Sequence, residues 1–332
     1  MVAQIDSRYV RTSPYKTAVR LLSYVFFEGR PLTTKGQWIN PLVLALYSIQ
    51  KRLPQLKKVR KPIFIIGTGR SGTTILGILL SMHRDVGFLN EPKALWHAIY
   101  PTEDLVGSYY RGAAQYRLSA SDVSQKVRAT AHKLFGAYLA ISTSRRVVDK
   151  YPELVFRIPF VRSLFPDAKF IFLVRNGWDT CQSIEGWSQR LGVQLDAEKH
   201  DWWGANNRKW NLLWEQIITS DEDLQGAIPD RGELENPLDM AALEWIVSMQ
   251  EGLHLMRQFP DAIQMVRYED LVERPEDSLN QLLNFCELPP DKRFIDYATQ
   301  KLRPVPPKKT VSVHPSIRPY FEETMTALGY AI

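Results

Sequence analysis

The chain has 332 residues, 45% of them hydrophobic and 23% charged, a composition that excludes a disordered or fibrous protein. Its two cysteines, Cys181 and Cys286, provide neither a disulfide framework nor a metal cluster, and they favour a reducing, cytoplasmic location. The net charge is +6, but residues 1–61 carry twelve Lys and Arg against two acidic residues, so the rest of the chain is mildly acidic.

Residues 1–60 are predicted to form a basic, partly apolar helical extension in front of a main domain over residues 61–332. The apolar runs at 21–27 and 41–49 are far shorter than the ~18 residues that span a bilayer. Among so many basic residues, they indicate either helices packed on the domain or contact with an anionic membrane surface. No nucleic-acid-binding module is visible, and the first residues do not have the pattern of a signal peptide.

Residues 62–91 contain the strongest functional pattern in the chain. An apolar run at 63–66 predicts a strand, 67–72 a glycine-rich turn, and 73–82 a buried helix. Unpaired backbone N–H groups and the positive end of the helix dipole converge at such a turn. The stretch therefore predicts a site for a phosphate or sulfate group.

Three interpretations of this loop are open. Its glycines follow the GxGxxG spacing of a dinucleotide-binding loop, and Glu91 lies 19 residues after the last of them, at the end of a second expected strand, 85–89. A Walker loop shares part of the spacing, but Thr73 stands where its lysine is expected. The third interpretation surrounds a tetrahedral anion with backbone amides, one guanidinium and several hydroxyls. The residues involved are Gly69, Arg70, Ser71, Gly72, Thr73 and Thr74.

Downstream, strands expected at 147–148, 169–174 and 263–266 alternate with helices expected over 93–146, 154–165, 178–188, 239–259 and 276–286. This alternation predicts an α/β fold, with a P-loop-type, mainly parallel β-sheet flanked by helices on both faces. Ligands of such sheets bind at the carboxyl ends of the strands, so the loop at 67–74, Asp149-Lys150 and Arg175 should converge. The tryptophan-rich segment 189–238 could cover a cleft or simply pack.

A second polar pattern follows the strand at 169–174. Arg175 stands at the end of this strand, and Ser183 follows eight residues later in the next helix. A guanidinium and a hydroxyl so placed could hold a second phosphate. Two separate anion sites suit a nucleotide that is phosphorylated at two places.

Three motifs resemble the sulfotransferases that use 3′-phosphoadenosine 5′-phosphosulfate (PAPS), over roughly residues 62–290. GTGRSGTTIL (67–76) is similar to the family's 5′-phosphosulfate loop, and FPDAKFIFLVRNGWDTCQSI (165–184) to its 3′-phosphate motif. RYEDLVERPEDSLNQLLNFCELP (267–289) resembles the stretch that follows in bacterial, carbohydrate and tyrosylprotein members. The spacing resembles the tyrosylprotein branch most.

The resemblance implies roles for individual residues. Glu91 would be the base, and Lys150, in a Lys-x-Pro motif, would stabilise the transferred charge. The loop would bind the 5′-phosphosulfate, Arg175 and Ser183 the 3′-phosphate, and Tyr268 would either touch the nucleotide or belong to the core. No metal is expected. The sequence departs from that branch where Trp187 replaces a further Arg, with Arg190 only a neighbour, and the basic loop at 301–318 matches in character alone.

The sequence thus predicts sulfuryl transfer from PAPS, with PAP as product, to a hydroxyl acceptor. The acceptor class is open among a glycan, a lipid, a small natural product and a peptide tyrosine, and the N-terminal residues favour one near a membrane. Two alternatives belong to other classes: a P-loop kinase or NTPase, and a non-catalytic nucleotide-binding scaffold. Thr73 argues against the first, and Glu91 with Lys150 against the second.

Overall fold

The computed structural model describes residues 2–195, 197–306 and 310–331. Lys308 and Lys309, from the basic loop expected at 301–318, lie outside these ranges. The strands are β1 (Ile63–Gly67), β2 (Val86–Asn90), β3 (Arg146–Lys150), β4 (Lys169–Val174), β5 (Val193–Leu195), β6 (Glu198–Asp201), β7 (Gly204–Ala205) and β8 (Ile263–Arg267).

The α-helices in the described ranges are α1 (Ser7–Thr12), α2 (Pro14–Phe26), α3 (Asn40–Gln50), α4 (Thr73–Ser81), α5 (Lys93–Ile99), α6 (Gln125–Ile141), α7 (Ile158–Leu164), α8 (Gly177–Leu191), α9 (Arg208–Gln216), α10 (Pro237–Gln258), α11 (Tyr268–Glu273), α12 (Pro275–Phe285), α13 (Lys292–Lys301) and α14 (Arg318–Ala327).

A five-stranded parallel sheet in the order β2-β3-β1-β4-β8 forms the centre of the protein. Side chains of β1 alternate between two cores: Phe64 and Ile66 pack on one face, and Ile63 and Ile65 on the other. Both faces are covered, which explains why these strands are continuous apolar runs rather than alternating ones. The predicted α/β class and parallel sheet are confirmed.

The carboxyl end of β1 needs a residue without a side chain. Gly67 has φ +132°, and a Cβ there would lie 2.5 Å from the backbone oxygen of Leu173 in β4. The chain can therefore turn out of the sheet and enter α4 directly. Because β1 lies between β3 and β4, the residues that follow all three strands meet at one edge.

The N-terminal extension packs through α2 against the edge strand β2. The buried Lys16 ammonium donates to the backbone oxygens of Arg84 and Val86 at 3.1 and 2.8 Å, and buried Arg20 pairs with Glu28. These basic side chains serve the fold, so the charge counted over residues 1–61 overstates the charge offered to a partner. A division between two units at residue 61 stays a prediction.

The expectation of continuous helix over 93–146 was wrong in its middle. α5 ends at Ile99 and α6 begins at Gln125, and most of the chain between them is irregular. The Asp104 carboxylate accepts hydrogen bonds from the amides of Gly107, Tyr109 and Tyr110, which fixes a turn where a helix would need those amides elsewhere. The expected helix at 154–165 also begins with a 3₁₀ turn, Pro152–Arg157. The small antiparallel sheet β5-β6-β7 and helix α13 were not predicted.

Candidate active site

The loop at 67–72 turns its backbone toward the carboxyl edge of the sheet. Arg70 and Gly72 both have positive φ, 71° and 93°, and Gly72 caps α4 without a side-chain hydrogen bond. A Cβ at Gly72 would lie 2.4 Å from the Tyr268 ring, so only glycine fits there. The first turn of α4 thus presents its N–H groups to the space above the loop.

In the loop and directly after β4, three buried polar atoms lack a hydrogen-bond partner among the described residues. They are the hydroxyl oxygens of Thr68 and Ser71 and the Nε of Arg175. Burying such groups unpaired is costly, so each atom is suited to a ligand that supplies the missing partner. Hydroxyls and a guanidinium N–H together fit the oxygens of a phosphate or sulfate group.

The two sequence patterns meet at Arg70. Its Nε donates to the Ser183 hydroxyl at 3.1 Å, and Arg175 Nη1 reaches the backbone oxygen of Arg70 at 3.4 Å. Burial, together with the charges of Arg190 and Arg175, lowers the pKa of Arg70. The Arg175 guanidinium also lies 4.8 Å from the centre of the Tyr268 ring and 3.0 Å from the Asp179 carboxylate. This cluster of positive charge would be relieved by bound anions.

Glu91 and Lys150 meet at the ends of neighbouring strands. The Glu91 amide donates to the Lys150 backbone oxygen at 2.7 Å, and the two side chains form a direct ion pair. Glu91 has φ +46°, a strained conformation for a residue with a side chain. Burial opposes its ionisation, but Lys150 and Lys93 outweigh that effect and hold the pKa of the carboxyl below its usual value. Glu91 is therefore an ionised carboxylate near neutral pH.

A chain of alternating charges continues from this pair into the protein. Lys93 Nζ lies 3.8 Å from the Glu91 carboxylate and 3.6 Å from that of Glu153. Lys209 Nζ lies 3.4 Å from Glu153 and also pairs with buried Glu244. Burial raises the pKa of Glu153, but the charges of Lys93 and Lys209 lower it by more, so the pKa lies below its usual value. Sequence analysis missed these residues, because the side chains that meet here come from distant parts of the chain.

Trp202 joins this chain of charges to the anion loop. Its Nε1 donates to Glu244 at 2.6 Å, and the Lys209 ammonium lies 4.7 Å from its ring centre. A Cβ at Gly69 would lie 2.3 Å from the Trp202 ring, so the indole rests directly on the loop. The tryptophan-rich segment therefore covers the site, which was one of its two interpretations.

A cavity of about 460 Å³ opens beside these groups. The residues that line it include Gly69, Arg70 and Thr74 of the loop region, and Glu91 and Lys150. Other walls come from the N-terminal segment 28–34 and from the part of the chain around β6 and β7. Further lining residues are Ser108, Trp187, Leu191, His200, Asp201 and Trp202. Arg175 and Ser183 contact Arg70, and Tyr268 lies against Gly72 and Arg175; these three residues do not line this cavity.

A parallel α/β sheet with an anion-binding loop after its central strand and a second cationic position after the next defines a P-loop-type, nucleotide-binding class of protein. Residues 62–222 match the family model described as the sulfotransferase family. Over these residues, which make up just under half of its length, the chain matches this family.

Named relatives are consistent with that assignment. Nodulation protein NoeE of Sinorhizobium fredii is 27% identical over 227 residues, covering 66% of this chain and 48% of the relative. A protein-tyrosine sulfotransferase of Drosophila melanogaster is 24% identical over 248 residues, covering 74% of this chain and 40% of the relative. This chain thus spans less than half the length of either. The crystal structure of sulfotransferase STF9 from Mycobacterium avium aligns with TM-score 0.49 and 12% identity, covering 99% of this chain and 93% of that one.

Proposed function

We propose that the protein transfers a sulfuryl group from PAPS to a hydroxyl acceptor. The observation that carries this proposal is the ion pair between Glu91 and Lys150, which stands on the cavity wall beside Arg70 and Thr74. A carboxylate kept ionised by its neighbours can accept a proton, and an adjacent ammonium can stabilise negative charge. Both are needed where a hydroxyl attacks an activated anion.

Residues on two sides of Arg70 would hold the donor. The loop amides with Arg70, Ser71, Thr73 and Thr74 would bind the 5′-phosphosulfate. Arg175 and Ser183 would bind the 3′-phosphate, and the Tyr268 ring supports the Arg175 guanidinium from below. The unpartnered atoms of Thr68, Ser71 and Arg175 support this placement. When bound, PAPS supplies a sulfuryl group activated by a phosphate leaving group.

The protein's own steps are proton removal and charge stabilisation. The Glu91 carboxylate takes the acceptor proton, which requires a distance of about 2.6–3.2 Å to the hydroxyl oxygen. The Lys150 ammonium turns from Glu91 to the bridging oxygen, where negative charge grows as the bond to sulfur breaks. Positioning and charge stabilisation would then supply the catalysis, as in phosphoryl transfer. Catalysis without a metal ion stays a prediction.

The cellular location and the acceptor class are also proposals. Cys181 and Cys286 are buried and free, which supports a reducing, cytoplasmic environment. No helix in the described ranges has the length and apolar character needed to cross a membrane. We propose that the acceptor hydroxyl belongs to a glycan, a lipid, a small natural product or a peptide tyrosine, and that the N-terminal extension contacts an anionic membrane surface.

A thermal-shift titration with PAP, ATP and NAD tests the donor. A ligand that binds only the folded state raises Tm according to the ratio of its concentration to its Kd. PAP should raise Tm at far lower concentration than ATP or NAD. A response to ATP or NAD without one to PAP would refute the proposal and favour the kinase or dehydrogenase interpretation.

A Glu91→Gln variant tests the base. Labelled PAPS would be offered with p-nitrophenol, a chitin oligosaccharide, an alkyl glucoside and a tyrosine peptide as acceptors. With any acceptor that wild type sulfates, we expect the variant to lose about 10²-fold or more in turnover while PAP binding persists. Exposed Glu222→Gln is the matched control and should behave as wild type. Equal turnover in both variants would remove Glu91 from the mechanism.

A further inference from the structure

Exposed apolar side chains are concentrated in the N-terminal extension. Within the described residues, nine of the large apolar side chains that are exposed fall in the first 56 positions, and four fall in all the rest. The four are Ile141, Leu191, Leu195 and Val305. Single exposed apolar residues are ordinary, but a local concentration marks an interaction surface.

Helix α3 is apolar on two opposite sides. Val43 and Tyr47 are buried against the body, and Tyr47 donates to the backbone oxygen of Phe27. On the other side, Leu42 is 50% exposed and Ile49 55% exposed, and Trp38, just before the helix, is 83% exposed. Their spacing of four and seven residues places them on one side, here called the α3 outer face.

The stretch of sequence that contains α3 is basic. From residue 29 to residue 61 the sequence contains eight Lys and Arg and no Asp or Glu. Lys35, Arg52 and Lys58 are exposed, unlike Lys16 and Arg20 of α2. An apolar face flanked in the sequence by exposed basic residues complements an anionic lipid bilayer, in which tryptophan also favours the interface.

The α3 outer face is joined by a short connection to the catalytic cavity. Residues 28–34 line the cavity, and Trp38 follows Thr34 by four residues. The segment between them is pinned by Asn40, whose side-chain amide donates to the Arg30 backbone oxygen at 2.7 Å and whose amide oxygen accepts from the Arg30 N–H at 2.7 Å. One wall of the cavity is thus fixed directly to the start of α3.

We propose that the α3 outer face lies on an anionic bilayer, with Trp38, Leu42 and Ile49 in the interface. The second half of the inference rests on the proposed sulfuryl transfer: the acceptor is the hydroxyl-bearing headgroup of a membrane amphiphile, which enters the cavity past residues 28–34. Burial of the apolar side chains and attraction between lysines, arginines and anionic headgroups both contribute to binding.

Co-sedimentation of the full chain with vesicles tests the docking surface. Vesicles would contain either phosphatidylcholine alone or phosphatidylcholine with 30% phosphatidylglycerol, in low and in 0.5 M salt. Wild type should bind the anionic vesicles in low salt. The triple variant Trp38→Ser/Leu42→Ser/Ile49→Ser should need about tenfold or more lipid for the same bound fraction. The triple variant Ile141→Ser/Leu195→Ser/Val305→Ser, matched in number and similar in exposure, should bind as wild type.

Two further readouts make every result decisive. PAP-induced stabilisation, measured on each variant, shows that it is folded and tests the proposed donor separately from docking. Wild type that ignores anionic vesicles, or a Trp38/Leu42/Ile49 variant that binds them as wild type does, would overturn the inference. Light scattering provides a third outcome that would overturn the inference: a wild-type dimer that only the Trp38/Leu42/Ile49 variant converts to a monomer. In that case a second copy of the chain would cover the α3 outer face. For the acceptor, wild type should sulfate an alkyl glucoside faster in anionic vesicles than in detergent, and the variant should lose this difference.

Discussion

Replacing Arg175 by Met should remove the preference for a nucleotide with a 3′-phosphate. The Arg175 side chain is 13% exposed; its Nη atoms contact Asp179 and the Arg70 backbone oxygen, and its buried Nε has no partner in the described chain. The variant therefore loses one or two charge-assisted hydrogen bonds to the phosphate, each contributing about 1.5–3 kcal/mol. A total of about 2–4 kcal/mol corresponds to a rise in Kd of roughly 30- to 1000-fold.

Isothermal titration with PAP and with ADP, which has no 3′-phosphate, measures this effect directly. Wild type should bind PAP much more tightly than ADP, and Arg175→Met should bind the two with similar affinity. Arg162, which lies against the Phe259 ring away from the site, provides the control Arg162→Met. Equal losses for PAP and ADP in Arg175→Met, or no loss at all, would show that Arg175 does not read the 3′-phosphate.

Three further predictions concern the loop, the catalytic pair and the buried charges. Gly72→Ala should lower Tm and abolish PAP-induced stabilisation, because φ of Gly72 is +93° and the Tyr268 ring occupies the space that a Cβ would need. As the control, Gly232→Ala should leave both Tm and PAP-induced stabilisation unchanged, because a Cβ at Gly232 meets nothing within 4 Å. Lys150→Met should raise the pKa of Glu91, because the ammonium that favours its ionised form is removed, so the acidic limb of the pH–rate profile should move to higher pH. An unmoved limb would contradict the role of Lys150. Glu153→Gln should lower the free energy of unfolding by about 2 kcal/mol at pH 7. The pKa of Glu153 is lowered in the folded state, so its contribution to stability is present above its ordinary pKa of about 4.5 and is lost as pH falls. Below pH 5, Tm of the variant should therefore decline less steeply than Tm of wild type. Parallel Tm curves for wild type and variant would contradict this last prediction.

Local sequence patterns predicted correctly those parts of the structure that depend on residues close together in the sequence. The strand, glycine turn and helix at 63–82 follow from periodicity, and the meeting of Lys150 with the anion loop follows from the parallel topology. The pairing of Lys93, Glu153 and Lys209 could not be predicted, because these residues come from α5, the 3₁₀ turn after β3 and α9. The same holds for Trp202 on Gly69, since a tryptophan-rich segment does not reveal which surface its rings cover.

Periodicity also failed where local side-chain hydrogen bonds compete with a helix. The loop after α5 contains Pro101, Gly107 and Gly112, and the Asp104 carboxylate accepts hydrogen bonds from three nearby amides, which keeps the chain irregular. In the N-terminal extension, the count of basic residues did not show which of their side chains are exposed to a partner. Lys16, Arg20 and Arg30 are buried, and only the environment of each side chain separates them from exposed Lys35 or Arg52.

The walls of the cavity originate in different parts of the chain, and this has a practical consequence for redesign. The donor wall is formed by the residues that follow β1, β2 and β3, where Gly67 has no space for a side chain and Glu91 has a constrained backbone. The facing wall at 28–34 lies outside the segment that matches the family model. Loop exchange at 28–34 could therefore retarget the transferase to a new hydroxyl while the donor-binding loop keeps its sequence. A library aimed at new acceptors would begin there, and selection for retained PAP binding would remove the misfolded members.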